Sequence, residues 1–416
     1  MDEELLQLAH DYRQCKLWKK LNENQVFAVD LAGKKTIYLS ILGILGEHIA
    51  LSIYQDSKEV YQLKRVMESS QEPCFSPLHQ QELFLDQAYL QVSFLNKEES
   101  DPEDVALIQA FRQAQGIRVR GPQTFPSIEV CRPNHLPWKP VAKKDLSVIK
   151  SALQASLDLA LALEGLTQPE RARLIPDLRK GQPIPLMKKG SQGYQIVTRV
   201  SQPTQGRTSV IRHQRLNELE LARLKKLPKT ADLQLDLVLM PEPIQEVSTQ
   251  APFFMYSLVG VDATSNYYFL AGLAKEYWKE ATGMLNQLMK ELVDYGSAPH
   301  RICVTDDRTA QLLHPLAAGL RIDCQIDPAA CGLVRDFEED LFQHSLSGDM
   351  DKRDLELEEW DLATFAEQLR ILEEIGSPNA LPRDIRSTIL WQLYHALDSN
   401  IPIAFKQRIR HFLNQS

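Results

Sequence analysis

Alternation of apolar and polar positions is sharpest at residues 233–239. There Leu233, Leu235, Leu237 and Leu239 are separated by Gln234, Asp236 and Val238. A period of two places the leucines together on one face of a half-buried strand. Residues 253–261 and 267–273 predict two more strands, joined by a turn at Ala263, Thr264, Ser265 and Asn266. Helical spacing then runs from 277 to 295 and stops at Gly296. A strand at 301–305, a helix at 308–318, a strand at 321–326 and a helix at 333–344 follow. The predicted order over 231–345 is β-β-β-α-β-α-β-α.

The N-terminal part reads differently. Leu5, Leu6, Leu8, Ala9, Tyr12 and Leu17 have helical spacing, and residues 25–30 and 36–40 form a hairpin around Gly33. The apolar run 44–54 precedes a helix over 59–67 capped by Asp56. A strand is expected at 89–95, a helix at 102–115 with Pro102 in its first turn, and a strand at 124–130. Strands and helices mix without regular alternation, which predicts an α+β domain over 1–137. Pro133, Pro137 and Pro140 then break the chain, because proline continues neither a helix nor a central strand. Residues 141–230 read as a connecting region: a helix at 145–164 ending at Gly165, then short strands at 194–200 and 208–213. Residues 355–416 read as a C-terminal helical region, with Pro382 and Pro402 each suiting a first helical turn. The expected fold class is therefore multidomain, α+β followed by α/β.

Charge narrows the partners. The 416 residues carry a formal net charge of -8, which excludes a chain-wide coat for nucleic acid. The segment 171–215 is locally basic through Arg171, Arg173, Lys188, Lys189, Arg199, Arg207, Arg212 and Arg215. Any nucleic-acid partner would rest on that stretch. Residues 336–374 are acidic and suit a basic protein partner or simple solubility. The six cysteines lie far apart with no C-x-x-C pair, so neither a zinc framework nor a disulfide scaffold is expected. The N-terminus has no apolar signal core, and no apolar run approaches the roughly 20 residues that span a bilayer. A cytoplasmic protein without a membrane partner is expected.

Two stretches resemble known families. Residues 26–29, 38–43, 50–54 and the Gly46, Glu47, His48 core resemble an N-terminal bacterial domain of unknown function, and the proline break at 136–140 resembles the segment that follows it. Residues 253–273 and 299–326 resemble a second bacterial domain of unknown function, often found in the same chain. The resemblance implies no functional residue for either family. His48 beside Glu47 is catalytic only in principle. Gly43 and Gly46 do not form a phosphate loop, since neither G-x-x-x-x-G-K-[ST] nor G-x-G-x-x-G occurs. No H-E-x-x-H or G-x-S-x-G motif is present either.

The β-β-β-α-β-α order is similar to the ribonuclease H-like fold of nucleases, integrases and transposases. That resemblance implies carboxylates on adjacent strand ends and a helix, holding two divalent ions about 4 Å apart. The matching positions are Asp236 in the first strand, Asp306 after the fourth, and Glu339 or Asp340 on the last helix, with Asp262 competing for the first position. The sequence Cys303, Val304, Thr305, Asp306 is similar to an integrase strand end, but Asp307 and Arg308 follow where Asn-Gly is usual. Asp306 also suits the N-cap of the helix after it. The leading expectation is thus a non-catalytic interaction or regulatory protein with a degenerate ribonuclease H-like domain and no cofactor. The alternative is a nuclease or transposase relative using magnesium or manganese at Asp236, Asp306 and Glu339 or Asp340.

Overall fold

The computed structural model describes residues 2–47, 49–69, 76–139, 141–207, 210–212, 215–346 and 409. His48 and, apart from Ile409, the C-terminal helical region expected at 355–416 lie outside the described residues. So do the ends of the strand expected at 208–213; residues 210–212 form no strand. The chain divides into two compact units. The first comprises 1–75, 82–208 and 245–253; the second comprises 76–81, 209–244 and 254–416.

The first unit begins with α1 (Glu3–Cys15), whose N-cap Asp2 accepts a hydrogen bond from the Leu5 amide. Then come β1 (Phe27–Asp30), β2 (Thr36–Leu42), β3 (Ile49–Tyr54) and α2 (Ser57–Ser69). Helix α3 (Pro77–Leu85) follows, its first residues counted in the second unit. The first unit continues with β4 (Tyr89–Leu95), α4 (Pro102–Ala114), β5 (Phe125–Cys131), α5 (Lys143–Ala162), α6 (Gln168–Leu174), β6 (Ile184–Gly190) and β7 (Gly193–Val200). The seven strands form one sheet in the order β5-β4-β3-β2-β1-β6-β7. From β5 to β1 every pairing is antiparallel, whereas β6 lies parallel to β1.

Both faces of this sheet are covered, and its central strands are correspondingly apolar at consecutive positions. Phe27, Val29, Leu39, Ile41, Leu51, Ile53, Val92 and Phe94 share a core with Leu5 and Tyr12 of α1 and Ile149, Leu153 and Leu159 of α5. Val26, Ala28, Tyr38 and Tyr54 pack on the opposite face with Val60 and Leu63 of α2. Much of the stretch 141–230, read in sequence as a connecting region, thus lies in the first unit: α5 covers the sheet and β6–β7 complete its edge. The signal for β6 was hidden by Pro185 and by Lys188, Lys189 and Gly190, and its parallel partner β1 lies far back in the sequence.

The second unit contains α7 (Glu218–Leu224), β8 (Lys229–Ile244), β9 (Phe253–Asp262), β10 (Tyr267–Ala274), α8 (Tyr277–Tyr295), β11 (Ala298–Val304), α9 (Asp307–Leu320), β12 (Cys324–Ile326) and α10 (Gly332–Leu346). From β8 onward the order is the expected β-β-β-α-β-α-β-α. The sheet runs β10-β9-β8-β11-β12. Strand β10 is antiparallel to β9, while β11 is parallel to both β8 and β12. Gln234 lies opposite Cys303, so the leucine-alternating strand and the cysteine-bearing strand are neighbours. Gly260 allows β9 to crowd β8: a Cβ there would lie 2.2 Å from Leu235 Cδ2 and 2.9 Å from the Gln234 carbonyl. A side chain has no room at that crossing.

Strand β8 continues through Pro241 and Pro243 to Ile244. The last β8 residue paired with β11 is Leu235. On that side the prolines therefore forfeit no ladder hydrogen bond.

Candidate metal centre

Strand periodicity decides which β8 side chains face α10. The odd positions Leu233, Leu235, Leu237 and Leu239 are fully buried together on one face. The even positions Gln234, Asp236 and Val238 point to the other. Val238 packs there with Val259, Val261 and Cys303 from the neighbouring strands and with Cys331 and Val334 from the start of α10. The Gln234 side-chain oxygen accepts hydrogen bonds from the Leu333 and Val334 amides and so fixes the start of α10 against β8. Asp236 is thereby carried into this layer with 0% exposure.

Helical spacing brings the second acid. Phe337 and Leu341 pack against the same core as Val334, and a residue four positions after Val334 shares its face. That residue is Glu338, also 0% exposed. Leu78, in the first turn of α3, belongs to this core as well, and it brings His79 to the carboxylates. His79 Nε2 is 3.7 Å from Asp236 Oδ2, and its Nδ1 is 3.8 Å from Glu338 Oε2. One ligand atom from each of His79, Asp236 and Glu338 lies within 4.8 Å of the others.

The two carboxylates are held differently. Asp236 Oδ1 accepts from the Leu237 amide at 2.7 Å and from the Thr309 hydroxyl at 3.1 Å. Asp236 Oδ2 and both oxygens of Glu338 are buried with no hydrogen bond of ordinary geometry, the Ser76 hydroxyl lying close to Glu338. Burial, then the adjacent Asp236 carboxylate, pushes the Glu338 pKa up to about 9, with the neighbouring Ser76 hydroxyl opposing the shift. Two buried carboxylates with open lone pairs are costly unless a cation or proton joins them. Ligand atoms about 2.1 Å from one ion lie within roughly 4.2 Å of each other. The observed separations need only a small inward adjustment. A histidine with two carboxylates is also a sound donor set for a divalent transition ion.

Of the acids singled out by sequence, Asp236 belongs to this cluster and the others are placed elsewhere. Asp306 caps α9, accepting from the Thr309 amide at 2.7 Å. Glu339 and Asp340 are exposed on α10, turned away from the Val334–Glu338 face. Asp262 is buried but accepts hydrogen bonds from the Asp232 and Thr264 amides, Ser265 and Tyr295. His79 and Glu338 were missed. Glu338 shares the face of Val334, which singles it out once Val334 is known to face the core; α3 is too short and too weakly amphipathic to have marked His79.

The basic stretch is largely occupied within the protein. Arg171 donates to the Leu166 carbonyl, and Arg199 donates to the carbonyls of Arg173, Leu174 and Pro183. Arg207 pairs with Glu59 and Asp86, Arg215 with Glu218, and Lys188 with Asp30. Among the described residues, no helix is long and apolar enough to cross a membrane.

Residues 3–173 match the family described as Domain of unknown function (DUF7309), and residues 220–341 match Domain of unknown function (DUF6930). No curated protein and no solved structure matches the chain. His79 falls in the first matched span and both carboxylates in the second.

Proposed function

We propose that the chain is an interaction or regulatory protein whose second unit is a ribonuclease H-like domain binding one divalent metal ion through His79, Asp236 and Glu338. The convergence of an imidazole with two fully buried carboxylates whose inward oxygens make no hydrogen bond of ordinary geometry carries this reading. The element order, and a first strand lying beside a parallel fourth, support the ribonuclease H-like assignment. A two-metal phosphodiesterase needs further oxygens to bridge and flank a second ion. Here Asp306 is committed to capping α9, and Glu339 and Asp340 face outward. Imidazole favours manganese, iron or zinc over magnesium, which prefers an all-oxygen octahedron. The unpaired cysteines among the described residues support a reducing, cytoplasmic setting.

Equilibrium dialysis with Mn2+ tests the site. One ion per chain is expected for the wild type and none for His79→Ala. A wild type that takes up no Mn2+, Fe2+ or Zn2+ would rule out the site. Metal-dependent cleavage of DNA or RNA, abolished by Asp236→Asn, would replace the regulatory reading with the nuclease one.

Asp306→Ala separates the two readings further. Loss of the N-cap should cost about 1 kcal/mol in urea unfolding, with Mn2+ affinity as in the wild type. A large loss of affinity would place Asp306 among the ligands.

A further inference from the structure

We infer that Ser76 is a positioning residue for this centre, holding His79 so that Nε2 is the metal-binding atom; the inference rests on the proposed metal site. Ser76 Oγ lies 2.9 Å from His79 Nδ1, well inside hydrogen-bond range, whereas His79 Nε2 lies 3.7 Å from Asp236 Oδ2. The same Ser76 oxygen accepts the His79 amide at 3.3 Å, as an N-cap at the head of α3. A hydroxyl oxygen has two lone pairs, so it accepts from both the amide and the ring N–H. With the ring proton on Nδ1, the Nε2 lone pair is directed at the carboxylates.

A metal-bound histidine ordinarily donates its other ring N–H to such a partner, which fixes tautomer and ring orientation and raises basicity. Ser76 performs both tasks from one atom. The backbone hydrogen bond fixes where the ring emerges from the helix, and the side-chain hydrogen bond fixes which nitrogen faces inward. Pro77 at the first helical position supports this geometry, since its missing N–H needs no partner there.

The two tasks separate by substitution, because glycine replaces serine at an N-cap at a cost of only a few tenths of a kcal/mol. Mn2+ affinity of the full chain is measured by titration for the wild type, Ser76→Gly, Ser76→Ala and Ser76→Thr. Ser76→Gly and Ser76→Ala should each bind about 10- to 100-fold more weakly, while Ser76→Thr, which keeps the hydroxyl, should restore most of the affinity. The tautomer is read independently from nitrogen-15 shifts of the Zn2+-loaded protein, with His79→Gln identifying the signal. Protonated Nδ1 and zinc-bound Nε2 are expected. Wild-type affinity in Ser76→Gly, or zinc on Nδ1, overturns the role of Ser76 while leaving the metal site standing. A wild type that binds neither ion overturns both.

Discussion

Glu338→Gln should make the metal-free protein more stable at pH 8 and remove its response to metal. The Glu338 carboxyl is buried beside Asp236, and its pKa in the folded protein rises from an ordinary 4.5 to about 9. The folded state therefore binds a proton that the unfolded chain has released throughout that interval. Stability must fall as pH rises from about 4.5 to about 9, and it levels off beyond. A tenfold difference in proton affinity is about 1.4 kcal/mol, so the wild type should lose several kcal/mol across the window. Glutamine keeps the shape without the ionisation, and the Glu338→Gln midpoint should be nearly flat over the same range. Metal binding has the opposite pH dependence in the wild type, because the ion competes with the proton. Mn2+ should stabilise the wild type increasingly toward pH 9, by about 2.7 kcal/mol at a hundredfold excess over the dissociation constant, and Glu338→Gln hardly at all. Urea melts from pH 5 to 9, with and without Mn2+, measure both effects. Parallel pH profiles for wild type and variant would show that Glu338 does not carry the shifted proton.

How much of this was legible beforehand follows from the periodicities involved. The leucine alternation at 233–239 fixed a strand with Asp236 on the opposite face from the leucines, and that placement needs only the two-residue repeat. The glycine at 296 and the capping Asp306 likewise marked boundaries through local chemistry. What pattern did not deliver was the choice between adjacent acids on α10. Glu338, Glu339 and Asp340 differ only in angle about the helix axis, and that angle acquires meaning once Val334 and Phe337 are known to face the core. His79 was harder still. It comes from residues far from β8 and α10 in sequence, in a helix whose only local marks are Ser76 and Pro77. Residues 141–230 show the same limitation in the fold. Strand β6 earns its place by parallel pairing with β1, a long-range contact with no local signature.

Asp262→Ala should be the most damaging single change in the second unit outside its apolar core. Sequence offered Asp262 as a competing metal-binding acid, and its surroundings give it a different task. Oδ1 accepts from the Asp232 and Thr264 amides, each at 3.0 Å, tying the end of β9 to the start of β8. Oδ2 accepts from the Ser265 hydroxyl at 3.1 Å and the Tyr295 hydroxyl at 2.6 Å, tying the hairpin to the end of α8. Burial, and then the hydrogen bond to Asp262, raise the Tyr295 pKa above its ordinary value, keeping it a neutral donor. A carboxylate with four donors already satisfies its lone pairs, so it has little left for an ion. Alanine leaves these donors without an acceptor, at about 1–3 kcal/mol for each that stays buried. Thr264 is exposed and finds water, so the total should be about 3 kcal/mol rather than a sum over four. Tyr295→Phe should cost about 1 kcal/mol. The double variant should cost less than the two singles added, because both break one shared bond. Urea unfolding of the four proteins in the cycle gives the coupling directly. Additive costs, or an Asp262→Ala loss below about 1 kcal/mol, would mean that the network does not hold β8, β9 and α8 together. The folded fraction of Asp262→Ala should still bind Mn2+ with wild-type affinity, since none of its four bonds reaches His79, Asp236 or Glu338.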